Sequence, residues 1–150
     1  MKDEDQGAFF EGGERLEGGI RTAVEAWCED QDAAKLQYGP IASWNTSEIT
    51  NMWFLFYDKT GFNEDISRWD VSNVTSLRST FNKAASFNGD LSRWDVSNVT
   101  TMSYMFLSAT SFDQQLGGAW ARSTAGKTMM FYHSPGSIVG KTNDANGTPE

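Results

Sequence analysis

Arg68, Asp70, Arg93 and Asp95 are the residues whose types and spacing come closest to chemistry in this chain. They form two copies of Arg-Trp-Asp, and Ser43 and Asn45 hold the equivalent places one period earlier. A strip of guanidinium and carboxylate groups on one face can bind a protein or a glycan through charge-assisted hydrogen bonds. It can also satisfy itself as a salt-bridge lattice, since like charges stacked directly opposite repel unless a neighbouring row compensates. Read as a carboxylate pair, Asp70 and Asp95 would suggest a glycoside hydrolase. A general acid needs a desolvated carboxyl, however, and the Arg beside each Asp favours the ionised form.

Other groups invite weaker readings. Asn63-Glu64-Asp65, Asn88-Gly89-Asp90 and Asp113-Gln114-Gln115 recur in phase and offer the hard oxygen ligands that calcium prefers. Their competing use is as an asparagine ladder in which side chains satisfy turn backbone. Asn45, Asn73, Asn98 and Asn146 each open an Asn-x-Ser/Thr glycosylation sequence, with Asn73 and Asn98 in phase with the repeat. Gly136 to Thr142 resembles a phosphate loop, but the position that requires the first glycine is Pro135. Thr50, Thr75 and Thr100 make a single threonine column, too narrow for an ice-binding array. His133 is the only histidine and no nucleophile is tied to it by motif. Cys28 is the only cysteine, which excludes an intramolecular disulfide, and it reads as a half-buried hydrophobe in the helical lead-in.

The elements that must position these groups are repeats. Residues 62–86 and 87–111 are one phrase written twice, with 15 of 25 positions identical, so one supersecondary unit is expected to stack on its copy. Within each unit Trp69 and Val71 alternate with Arg68 and Asp70, which predicts a short strand with one buried face. Val74, Leu77, Phe81 and Ala84 then follow the spacing of one helical stripe, and Val99, Met102, Phe106 and Ala109 repeat it. Trp44, Trp69, Trp94 and Trp120 form a column that could stack sugars, but its phase with Val71 and Val96 predicts burial.

The resulting expectation is an α/β solenoid of short parallel strands and short helices. Residues 1–19 are a flexible segment. Residues 20–140 are one domain: a helical cap over 20–40, a partial repeat over 41–61, two full repeats, and a degenerate capping repeat over 112–140. The cap reads as one helix from Ile20 and a second over 32–38 that turns Ala33, Ala34 and Leu36 inward, stopped by Gly39-Pro40. A last short helix is expected over 128–132, and residues 141–150 read as a disordered tail.

A formal net charge of −8 argues against nucleic acid and anionic membrane surfaces, which attract basic patches. No apolar run is long enough for membrane insertion. The acidic, Gly-rich start MKDEDQGAFFEGG lacks the apolar core of a signal peptide.

The phrase Phe-Asn-x-Asp-x-Ser-x-Trp-Asp-Val-Ser-Asn-Val-Thr-x-Met/Leu, followed by Phe81 and Met105-Phe106, resembles the 25-residue repeat of the BspA-like leucine-rich-repeat surface proteins, first catalogued in mycoplasma lipoproteins. The likeness covers about residues 20–135. It implies a right-handed, leucine-rich-repeat-like coil and an extracellular or cell-surface setting. It also implies adhesion-type binding of a protein or surface glycan, no catalytic activity and no cofactor. The functional expectation is a non-catalytic recognition scaffold whose binding strip is Ser43, Asn45, Arg68, Asp70, Arg93 and Asp95. A calcium- or carbohydrate-binding module is the alternative, and a glycoside hydrolase the third reading.

Overall fold

The computed structural model describes residues 19–150. The expected flexible segment lies, apart from Gly19, outside the described residues. Two helices come first, α1 (Gly19–Glu29) and α2 (Gln31–Tyr38). α1 buries Ile20, Ala23, Val24 and Trp27, one face at helical spacing. Asp30 caps α2 by accepting the Ala33 N–H at 3.1 Å. Gly39, at φ 77°, ends α2 and donates to the Lys35 carbonyl, a conformation that favours glycine. The inward face of α2 is Ala34 and Tyr38, whereas Leu36 is 91% exposed. This corrects the expected register: Tyr38 meets Trp44 edge-on at 5.9 Å, which turns Leu36 away from the core.

From Ile41 onward the chain winds in 25-residue units that hydrogen-bond to one another. Asn51, Ser76, Thr101 and Gly126 form successive parallel bridges. The N–H groups of Met52, Phe54, Phe56 and Asp58 donate to the carbonyls of Ser76, Arg78, Thr80 and Asn82. Leu77, Ser79, Phe81 and Lys83 donate in the same way to the third unit, and Met102, Tyr104, Phe106 and Ser108 to the fourth, all at 2.7–3.0 Å. Along these arcs the donors face the next unit and the acceptors the preceding one, whereas the Thr75, Thr100 and Gly126 N–H groups donate backward to Thr50, Thr75 and Thr100.

Two local expectations are corrected here. The strand over 66–71 and the helix over 74–84 are both turns. Trp69, Val74, Thr80, Ala84 and Phe87 each donate to the residue three positions back, not four. The left-handed residues Phe54, Ser79, Tyr104 and Met129 recur at one place in the unit, and Asp58, Lys83, Ser108 and His133 four residues later, with φ between 50° and 62°. Each stands third in a hydrogen-bonded turn, as in type II geometry. A run of such turns puts one residue inward every three or four positions, so it mimics a helical stripe. No helix can form, because alternate N–H groups are taken by the next unit and a left-handed residue interrupts each arc. The expected helix over 128–132 is lost for the same reason.

The core is built from columns of equivalent rings. Phe56, Phe81, Phe106 and Phe131 stack at 5.3, 5.6 and 5.6 Å, within 3° of parallel. Phe62, Phe87 and Phe112 make a second column. Trp44, Trp69, Trp94 and Trp120 are all buried, each donating its indole N–H backward: Trp69 to Ile41, Trp94 to Ile66 and Trp120 to Leu91. A buried indole needs such an acceptor, so each tryptophan also ties its unit to the one before.

The closing unit departs from the repeat. Leu116 lies in β1 (Gln115–Leu116), which pairs in parallel with β2 (Ser137–Ile138), and Trp120 lies in the short helix α3 (Ala119–Arg122). Residues 141–150 do not behave as a disordered tail. Gly147 accepts the Phe131 N–H at 2.9 Å, Thr148 Oγ1 accepts from Met129 at 2.7 Å, and Asn143 bridges to Pro149. The segment supplies the acceptors that a further unit would have offered, which satisfies backbone donors at that edge.

Candidate functional site

The strip foreseen from sequence is exposed at every position: Ser43, Asn45, Arg68, Asp70, Arg93 and Asp95. The expected Arg–Asp salt-bridge lattice does not form. Among the described residues the one ion pair within 4 Å is Lys59–Glu25, which ties the first unit to α1. The carboxylates are used locally instead. Asp70 accepts from the Ser72 N–H at 2.9 Å and its hydroxyl at 2.6 Å, and Asp95 accepts from the Ser97 N–H at 3.1 Å. Asn45 does the same for Ser47. These are side chains closing their own turns, two residues ahead. The Ser97 hydroxyl and N–H hold the Asp95 carboxyl below its ordinary range, the opposite of what a general acid requires. Ser43 ends a short turn of 3₁₀ helix (Ile41–Ser43).

The calcium reading meets a similar outcome. Asn63 Oδ1 accepts the Asn88 N–H and Asn88 Oδ1 accepts the Asp113 N–H, both at 2.9 Å, an asparagine ladder running between units. Asp65 and Asp90 close turns onto Ser67 and Ser92. No group of three or more His, Cys, Asp or Glu side chains suited to a metal occurs among the described residues. Asn73 and Asn98, the in-phase glycosylation positions, donate their amides to Ser47 and Ser72 at 2.7 Å, so a glycan there would break a contact between units. The loop Gly136–Thr142 holds β2 and no following helix. Cys28 is exposed as a residue rather than half-buried. Desolvation of its thiol group raises the pKa, despite the nearby Lys59 cation. It borders a cavity of about 570 Å³ between the end of α1 and the loop 58–64, lined also by Glu25, Glu29, Asp58, Lys59 and Glu64.

A different face carries side chains with fewer local duties. It lies over the bridge ladder, on the outward positions of the turns. Phe54 and Tyr57 are 37% and 38% exposed, and they meet edge-to-face at 5.4 Å, with Trp53 against Phe54 at 5.5 Å. Arg78 lies over the Tyr104 ring at 5.1 Å, and Lys83 over Tyr57 at 5.7 Å. Each pair joins adjacent units, and each is a cation–π contact that holds a charged head beside a ring, exposed at Tyr57 and half-buried at Tyr104.

The signal for this face was present in the sequence as a contrast between positions. Inward places keep their kind: Phe56, Phe81, Phe106 and Phe131, or Met52, Leu77 and Met102. Outward places do not. Trp53, Arg78, Ser103 and Thr128 share one position and Asp58, Lys83, Ser108 and His133 another, while at a third Phe54 is exposed, Tyr104 and Met129 are half-buried and Ser79 is buried. The Arg68/Arg93 strip drew attention because it repeats, and the repeated Asp70 and Asp95 each close a turn.

A family model described as Mycoplasma protein of unknown function, DUF285, matches residues 25–138. Neither a curated protein nor a solved structure matches the chain.

Proposed function

We propose that this chain, which belongs to the DUF285 family of mycoplasma-type proteins of unknown function, is a non-catalytic repeat scaffold for protein–protein or cell-surface recognition. In this reading it is a BspA-like solenoid, leucine-rich-repeat-like and right-handed, working outside the cell or at its surface. One observation carries the reading: an interior whose Phe and Trp columns repeat holds up a ladder face whose residues change from unit to unit. Stacked repeats present extended, rigid surfaces of this kind, and exposed aromatic and arginine side chains are the types that anchor interfaces. A non-catalytic role is supported by the carboxylates of the strip, which are committed to turns, and by the Asp95 carboxyl being held below its ordinary range.

Two variant sets separate the surfaces. Phe54→Ser/Tyr57→Ser/Tyr104→Ser strips the ladder face, and Arg68→Glu/Arg93→Glu reverses the strip. Purified protein is assayed against immobilised panels of proteins and glycans. The ladder-face set should abolish capture and the strip set should leave it intact. Capture unaffected by the first set and lost with the second would move the site back to the strip. Capture unaffected by either would reject both surfaces.

A further inference from the structure

Building on that reading, we infer that the ladder face takes a linear polysaccharide bearing uronic acids, laid along the stacking axis of the repeats. Three observations converge on this occupant.

The first is spacing. In the buried Phe56 column beneath this face, equivalent rings of successive units are 5.3–5.6 Å apart, and in the other ring columns 5.9–6.4 Å, close to the advance per sugar ring in an extended polysaccharide. A chain lying along the axis therefore meets each unit with about one sugar, and a protein ligand has no such period.

The second is the order of groups along that axis. The first unit offers the rings of Phe54 and Tyr57, the second the cations Arg78 and Lys83, and the third the ring of Tyr104. Rings suit the apolar faces of sugars, and a guanidinium suits a carboxylate bidentately. The contacts of Arg78 with Tyr104 and of Lys83 with Tyr57 hold ring and cation side by side before any ligand arrives, so less side-chain freedom is lost on binding.

The third is charge. The chain carries −8 overall, yet residues 51–58, 76–83, 101–108 and 126–133 contain Asp58 against Arg78, Lys83 and Lys127. Lys127 turns its ammonium onto the Ser123 and Ala125 carbonyls at 2.7 and 3.1 Å, which leaves Arg78 and Lys83 as the cations of the face. This is a weakly positive patch on an acidic protein. It complements a chain of widely spaced carboxylates. A nucleic acid or a densely sulfated glycan presents far more charge than two cations can neutralise.

The test uses the full chain in affinity electrophoresis and calorimetry. The probes are hyaluronan and polygalacturonate oligosaccharides, with a neutral cello-oligosaccharide and single-stranded DNA as controls. At least one acidic probe should bind and both controls should not. Arg78→Gln should weaken that binding about tenfold, the loss expected for one charge-assisted contact. Tyr104→Ala should weaken it about three- to tenfold, while Arg93→Gln leaves it unchanged. Each variant is checked for an unaltered thermal melt, and Lys83→Gln replaces Arg78→Gln should the latter melt early. Binding of neither acidic probe overturns the inference. So does binding that matches the DNA control, or binding that survives both Arg78→Gln and Lys83→Gln. If the sugars fail but the panels yield a protein ligand lost with the ladder-face set, the polysaccharide is wrong and the recognition reading stands. If no ligand depends on that face, both fall.

Discussion

Replacing a serine by glycine inside a folded segment normally destabilises it, but at Ser108 the sign should reverse. Ser108 sits at φ 56° in the third place of a turn, and its N–H is held by the Tyr132 carbonyl at 2.7 Å, so the conformation cannot relax without breaking the ladder. An L-residue pays about 1–2 kcal/mol for that region. Glycine removes this cost but brings about 0.5–1 kcal/mol of extra unfolded-state entropy. The balance is a gain of about 0.5–1 kcal/mol. At this length that raises Tm by about 1–4 °C. Ser103 is the matched control: the same residue type in the same unit, also half-buried, and without a positive φ. Ser103→Gly should lower Tm by about 1–4 °C, since only the entropy difference applies. Differential scanning calorimetry of the two variants reads both signs. If Ser108→Gly melts no higher than Ser103→Gly, the left-handed turns are not what the ladder imposes, and the reason given for the missing helix fails with them.

The tryptophan column makes a second prediction. Trp94→Phe removes one of two donors to the Ile66 carbonyl, the other being the Trp69 N–H at 3.1 Å, and it leaves a small void. Urea melts should show a loss of about 2–3 kcal/mol, rising to about 3–5 kcal/mol for Trp94→Ala. At the closing edge, a Cβ on Gly147 would meet the backbone of Phe131 and Tyr132, and its φ of 73° is itself left-handed. Gly147→Ala should therefore release residues 141–150, seen as new protease cleavage there, with a stability loss of about 2 kcal/mol. The pH dependence follows from Asp65, Asp90 and Asp95. Hydrogen bonds from Ser67, Ser92 and Ser97 hold all three carboxyls below their ordinary range. Groups whose pKa falls on folding stabilise at pH above the unfolded value of about 3.9, and that stabilisation is lost as pH drops through the folded values. Tm should stay flat from pH 7 to about 5 and decline below about 4. Asp65→Asn/Asp90→Asn should flatten that decline, and an unchanged acid limb would show the turns contribute nothing.

Much of the interior was legible in the sequence, because stacking forces equivalent residues into the same environment. The burial of Trp69, Trp94, Val71 and Phe81 could be read from their phase alone. The backbone could not. A helix and a chain of turns both place an inward residue every three or four positions, so Val74, Leu77 and Phe81 fit either. What decides between them is where the N–H of Leu77 finds its acceptor, and that is Thr101, in another unit. A bond across that separation leaves no trace in local periodicity. The same holds for 141–150, whose polar composition suggests disorder until Thr148 and Gly147 are seen to complete the last unit's hydrogen bonds.

The turn duties of the strip's carboxylates were hidden for a related reason. Within a repeat protein, a residue that returns unchanged has two possible causes, and the cheaper one is the stack itself. Asp70 and Asp95 return because each closes a turn onto Ser72 or Ser97, and a coil without that turn would not present its neighbours to the next. Binding a ligand that spans several units imposes no demand for sameness. It rewards a different group at each step, as with Phe54, Arg78 and Tyr104, provided the backbone beneath them is fixed. On the reading proposed above, the rigid ladder lets outward positions diverge toward a ligand. On the same reading, a chain stripped of the Phe54, Tyr57 and Tyr104 rings would keep its scaffold and lose its binding. One that kept the face but lost Asp95 would lose stability at neutral pH and decline less in acid, with its binding unchanged. The two behaviours, measured on the same protein, separate the part of the sequence that builds the scaffold from the part that uses it.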